Sequence, residues 1–108
     1  MPERIRVAER RAVVRHPCNA TCHLLGPASC ESRWARVLNI SRHGLALLLT
    51  ERLEPGTFLI IEVRTPRQRT TWVLHARVVH ATPRPDGGWT TGCVLLQQLP
   101  DDVFQALL

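Results

Sequence analysis

Eight prolines and six glycines are spread along this 108-residue chain instead of gathering in one tail or linker. Proline removes a backbone donor and glycine loosens the backbone, so each tends to end or bend a regular element. Punctuation at that density implies many turns, and therefore many short elements. The length suits one domain and is too short for two. With 44% apolar residues, the chain can fill one modest core.

Between the turn signals the apolar residues alternate with period two, as strands require. Asn19 to Leu25 reads as a first strand closed by Gly26-Pro27. Arg33 to Ile40 puts Ala35 and Val37 on one face, Trp34 and Arg36 on the other. Leu45 to Thr50 is apolar on both faces, the pattern of a short buried strand. After the turn Glu54-Pro55-Gly56, Leu59, Ile61 and Val63 alternate with Ile60, Glu62 and Arg64. Leu74, Ala76 and Val78 alternate with His75, Arg77 and Val79, and Trp89 to Gln97 follows the turn at Pro83 to Gly88. Pro100 suits a first helical position, and Asp101 and Asp102 suit a helix start. Val103/Leu107 and Phe104/Leu108 then fall four apart on a short amphipathic helix. Six short strands and one helix predict a mainly all-β chain folded as a small barrel. Residues 1–17 form a charged, mobile leader, and 18–108 form the barrel with its helix.

Every one of the fourteen basic residues is arginine, and the net charge is +5. GC-rich coding explains the bias. It leaves each positive charge as a planar guanidinium, suited to phosphates and base edges, and the sign points to an anionic partner. The N-terminus lacks the apolar segment of a signal peptide, and the run Leu45 to Leu49 is far too short to span a bilayer. A cytoplasmic protein with reduced cysteines is the expectation.

Two segments carry candidate chemistry. The first holds Arg10, Arg11 and Arg15 in the leader. An extended backbone separates Arg11 and Arg15 by about 13 Å on one face, while a turn brings both onto one phosphate. Either guanidinium can form a bidentate pair with phosphate or the O6/N7 edge of guanine. Arginine-rich leaders are also ordinary solvated faces. The second segment is Asn39-Ile-Ser41-Arg-His-Gly44, between two apolar strands. Asn39 and Ser41 share a face at a strand end and offer an amide and a hydroxyl for a polar base edge. Gly44 can take the positive φ of a tight reversal and let a ligand approach the backbone. A polar hairpin turn accounts for the same residues.

Taken in order, Arg11-x-x-x-Arg15, a strand, and Asn39-x-Ser41-x-x-Gly44 closely resemble the paired signature of the PilZ domain, RxxxR followed by (D/N)xSxxG. A glycine within the last strand, in Trp89-Thr-Thr-Gly92-Cys-Val-Leu95, fits the same family. The likeness extends over roughly residues 9 to 108. It implies a six-stranded antiparallel PilZ barrel with a C-terminal helix, acting as a bacterial receptor for cyclic di-GMP without catalytic residues, metal or cofactor. It also implies that Arg11 and Arg15 grip guanine edges and phosphates, that Asn39 and Ser41 bond a guanine, and that Gly44 shapes the loop. Arg10 matches a position where arginine accompanies an intercalated pair of ligands. The leader would order over the ligand and present a new surface to a downstream protein.

Other features carry less. Cys18, Cys22 and Cys30 near His16 and His23 match no zinc spacing, and Cys22 shares parity with Ala20 and Leu24, as a buried thiol would. His75 and His80 differ in parity, so they are expected on opposite faces. Trp34, Trp72 and Trp89 are expected to pack the barrel or its ends. Asp101-Asp102 reads as helix-start chemistry, and no serine sits in a nucleophile elbow. A barrel binding single-stranded nucleic acid would interleave aromatics with its arginines, but none lies in the leader, so DNA or RNA is not expected. A PilZ-fold adaptor working through protein contacts alone is the remaining alternative.

Overall fold

The structure is a computed structural model, and it describes residues 16–26, 33–64 and 70–108. Six strands run in chain order: β1 (His16–Gly26), β2 (Arg33–Ile40), β3 (Gly44–Leu49), β4 (Phe58–Arg64), β5 (Thr71–Pro83) and β6 (Trp89–Leu95). One helix, α1 (Asp101–Leu107), follows. The strands close into a barrel in the order β1-β2-β3-β6-β5-β4, each neighbour antiparallel and β4 returning to β1. Closure leaves no free sheet edge along the paired registers.

Alternation decides what fills the barrel. Ala20, Cys22 and Leu24 of β1 point inward, as do Ala35 and Val37 of β2, Leu45, Leu47 and Leu49 of β3, and Leu59, Ile61 and Val63 of β4. Leu74, Ala76 and Val78 of β5 and Cys93 and Leu95 of β6 complete the core. Cys22 is thus a buried thiol, as its parity foretold. Its pKa is pushed up to about 12, chiefly by burial and then by the neighbouring Cys93 and Cys18 thiols.

Three departures from simple alternation matter. Pro17 lies inside β1, two residues ahead of the expected strand start. It pairs with Asn39 of β2 only, since the ladder to β4 begins at Thr21. A missing N–H is tolerated where a strand is paired on one side. In β5 the register shifts between Val78 and His80, so Val79 and His80 are both exposed. His75 and His80 consequently both face outward, contrary to the parity expectation, because a bulge resets the alternation. Trp34 corrects another expectation. It is 67% exposed and stacks on His23 at 4.7 Å outside the barrel, whereas Trp72 does pack against the core.

The helix closes one end of the barrel. Pro100 is its N-cap residue and not its first helical residue, with φ −59° and ψ 152°. Phe104 and Leu107 are its buried residues with Val103 packed beside them, so the Val103/Leu107 pair faces inward as expected, whereas Leu108 is exposed and the Phe104/Leu108 pair is not. No helix among the described residues is long and apolar enough to cross a membrane, and they contain no cluster of three potential metal ligands.

Candidate functional site

The Asn39–Gly44 segment forms the end of β2, a tight reversal and the first residue of β3. Asn39 pairs with Pro17 on one side and Ala46 on the other. The β2–β3 register shifts between Val37 and Asn39, so Leu38 and Asn39 are both half-buried while Ile40 returns to the interior. The bulge therefore turns the Asn39 position toward the outer rim, next to the start of β1.

Ser41 is only 3% exposed, and its hydroxyl is used inside the turn. It accepts the backbone N–H groups of His43 (3.3 Å) and Gly44 (3.2 Å) and donates to the Gly44 carbonyl (3.3 Å). The Ser41 amide donates to the same carbonyl at 2.8 Å. One donor and two acceptor sites are all that a hydroxyl offers, so Ser41 acts here as the organiser of the loop.

The reversal contains no residue of positive φ. Among the described residues that conformation occurs only at Gly56, Gly87 and Gly88. The expectation that Gly44 supplies it is therefore corrected. Gly44 lies opposite Val94, and a Cβ there would sit 2.5 Å from the Cys93 carbonyl oxygen. What needs glycine is the close approach of the β6 backbone. The loop is also held from that side: the Leu95 amide donates to the His43 carbonyl at 2.8 Å, and the Leu99 amide to the Arg42 carbonyl at 3.0 Å.

Two further groups join the loop to its surroundings. Arg42 reaches α1, where Nη2 pairs with Asp101 Oδ1 at 2.8 Å and Cζ lies 5.6 Å from the centre of the Phe104 ring. His16 meets that same ring edge-on at 5.6 Å, and its backbone pairs with Ile40. Beside the loop opens a cavity of about 200 Å³ lined by Ser41, His43, Gly44, Val79, His80 and Gly92. The His80 ring lies over Gly92, where a Cβ would come within 2.5 Å of it.

Of the sequence-based site residues, Asn39, Ser41 and Gly44 are thus brought together. Arg10, Arg11 and Arg15 lie outside the described residues. Sequence reasoning missed Arg42, His43 and His80. Arg42 and His43 stood within the motif as unassigned positions, and His80 was misplaced by a bulge that no residue pattern announces.

A small closed antiparallel barrel, with a serine-organised loop at one end and the start of β1 beside that loop, defines a small all-β domain. The PilZ domain family model matches residues 9–108, and the chain belongs to the PilZ domain family. Solved structures agree on the fold. YcgR of Escherichia coli in complex with c-di-GMP is 21% identical with a TM-score of 0.69, covering 91% of this chain and 42% of that one. The isolated PilZ domain of the same protein with c-di-GMP is 18% identical, TM-score 0.69, covering 91% and 86%. The Bacillus subtilis inhibitor of motility MotI is 22% identical, TM-score 0.67, covering 88% and 46%. The chain spans less than half the length of MotI and of the longer YcgR chain. No curated protein matches the sequence significantly.

Proposed function

We propose that this chain is a cyclic di-GMP receptor whose N-terminal arginines close on the nucleotide against the Asn39–Gly44 loop. The observation that carries the reading is the placement of the leader's root. His16, which directly follows Arg15, pairs with Ile40 in the middle of the Asn39-Ile-Ser41 sequence. With about 3.3–3.6 Å per residue available, Arg15 is one residue and Arg11 five residues from that anchor. The chain is therefore long enough for both halves of the signature to reach one dinucleotide. Family membership and the c-di-GMP named in the two YcgR structures support the same ligand.

In this reading Arg11 and Arg15 pair with phosphates and guanine edges, the amide of Asn39 reads a guanine, and Ser41 and Gly44 hold the loop that presents it. Arg10 extends the grip to a second, intercalated nucleotide, and a calorimetric ratio of one ligand per chain would reject that extension. The chain acts by binding, as a cytoplasmic receptor without chemistry of its own. The ordered arginine segment becomes a surface for a downstream protein, its ordering entropy offset by charge-assisted contacts.

Titration of the whole chain with cyclic di-GMP tests the reading. Arg11→Ala/Arg15→Ala removes two charge-assisted contacts worth about 1.5–3 kcal/mol each, so binding should weaken by several kcal/mol. Equal affinity in both proteins, or no binding to the unaltered chain, would sink it.

A further inference from the structure

We infer that Arg42 is an additional phosphate-binding residue of this site, held by Asp101 of α1, and that the ligand and the Asp101 carboxylate compete for its guanidinium. The inference rests on the cyclic di-GMP reading and adds a residue and a form of regulation to it.

Arg42 follows Ser41 directly, in the loop that the reading places against the nucleotide. Its guanidinium lies on the Phe104 ring, the same ring that His16 meets from the leader side. Arg42 is therefore one aromatic ring from His16, the residue that follows Arg15 in the sequence. Its present anionic partner is a single carboxylate oxygen, Asp101 Oδ1 at 2.8 Å. The pair is exposed, with side chains 45% and 74% accessible, and such pairs hold weakly in water. A phosphodiester offers two non-bridging oxygens that match the guanidinium fork, a stronger partner than a one-oxygen contact. Asp101 and Asp102 both lie in the first turn of α1, so a dianion arriving at the loop also meets two negative charges there. Ligand and helix N-terminus thus draw on one cation and repel each other.

The consequence is antagonism between ligand binding and helix docking, and linkage makes it reciprocal. When Arg42 turns to the phosphate, α1 loses its ion pair at Asp101 and its cation over Phe104, while Leu107 still holds its far end. Ligand occupancy would therefore loosen the N-terminal turn of α1.

A thermodynamic cycle in cyclic di-GMP affinity tests the proposal, measured by calorimetry on the full chain at one salt concentration. Asp101→Asn should tighten binding about three- to ten-fold. Asp102→Asn, which removes the same charge without an Arg42 contact, should tighten it less than about two-fold. Arg42→Gln should weaken binding about ten-fold, and in that background Asp101→Asn should have no further effect. Arg42→Lys, which keeps the charge and loses the fork, supplies a second background in which the Asp101→Asn gain shrinks. Equal tightening by Asp101→Asn with and without Arg42, or by both aspartate variants alike, would show plain charge relief and overturn the competition. No change on Asp101→Asn overturns it too. If the unaltered chain binds and Arg11→Ala/Arg15→Ala weakens it while this cycle stays flat, only the Arg42 inference fails. Absence of binding to the unaltered chain overturns the receptor reading and this inference together.

Discussion

At the scale of single residues, the signature positions turn out to build the loop as much as to offer it. Ser41 and Gly44 were legible as a pair from their spacing, but their physical roles were not. A serine two residues from an asparagine fits a second ligand group or a polar turn alike; its three hydrogen bonds, all within residues 41–44, decide for the turn. The same holds for Gly44. A steric reason for glycine was readable, yet the obstacle is the Cys93 carbonyl and not the backbone dihedral. That distinction has a measurable consequence. Gly44→Ala places a methyl 2.5 Å from a backbone oxygen that is fixed in the β3–β6 ladder, so the strands must part, at a cost on the order of 2 kcal/mol. Gly92→Ala meets the His80 ring first, an exposed side chain that can rotate away into solvent. Urea denaturation should therefore rank Gly44→Ala as the more destabilised of the two. The reverse order would mean that the β6 approach is not what requires glycine.

At the scale of elements, turn signals with alternation, or for β3 a short run apolar on both faces, located all six strands, because a closed barrel with a packed interior imposes an inside on each. Where a bulge inserts a residue the rule loses phase, and His80 and the Leu38–Asn39 pair were unreadable for that reason. The helix was foreseen from Pro100 and its acidic start, but not its docking. Contacts from Arg42, His16 and Cys18 are long-range and leave no trace in local spacing. Cys18 gives a direct probe of that docking, since its thiol donates to the Leu107 carbonyl at 3.1 Å. Phe104 is the larger buried side chain of α1, and Phe104→Ala should cost about 3 kcal/mol if the helix packs as described. With the helix loosened, the Cys18 thiol loses the Leu107 acceptor and the cover of the helix. Alkylation followed by peptide mapping should then show faster labelling at Cys18 in the variant, with buried Cys22 unchanged. Equal Cys18 rates would mean that Phe104 does not hold the helix in place.

At the scale of the whole molecule, the barrel's closure and the chain's unusual composition combine to make its alkaline stability simple to read. The fold class was legible because turns, alternation and the two signature segments all agreed. The proposed ligand grip was less so, because the groups it would draw on lie far apart in the sequence. The interior thiol depends on the fold as a whole, since Cys22 faces a core contributed by every strand. In the unfolded chain that thiol ionises near 9.0, whereas inside the barrel its pKa is raised to about 12. Below pH 9 both forms keep the proton, and the stabilisation is fully present. Between these values the unfolded chain releases a proton that the folded chain retains, so rising pH favours unfolding. The chain has neither lysine nor tyrosine, and arginine stays charged throughout, so thiols dominate this window. Stability measured by urea denaturation should hold steady to about pH 9 and then decline toward pH 12. Cys22→Ala should be less stable at pH 7, through the cavity it leaves, and should show a visibly shallower alkaline decline. An equally steep decline in that variant would show that Cys22 is not the group whose ionisation opens the barrel.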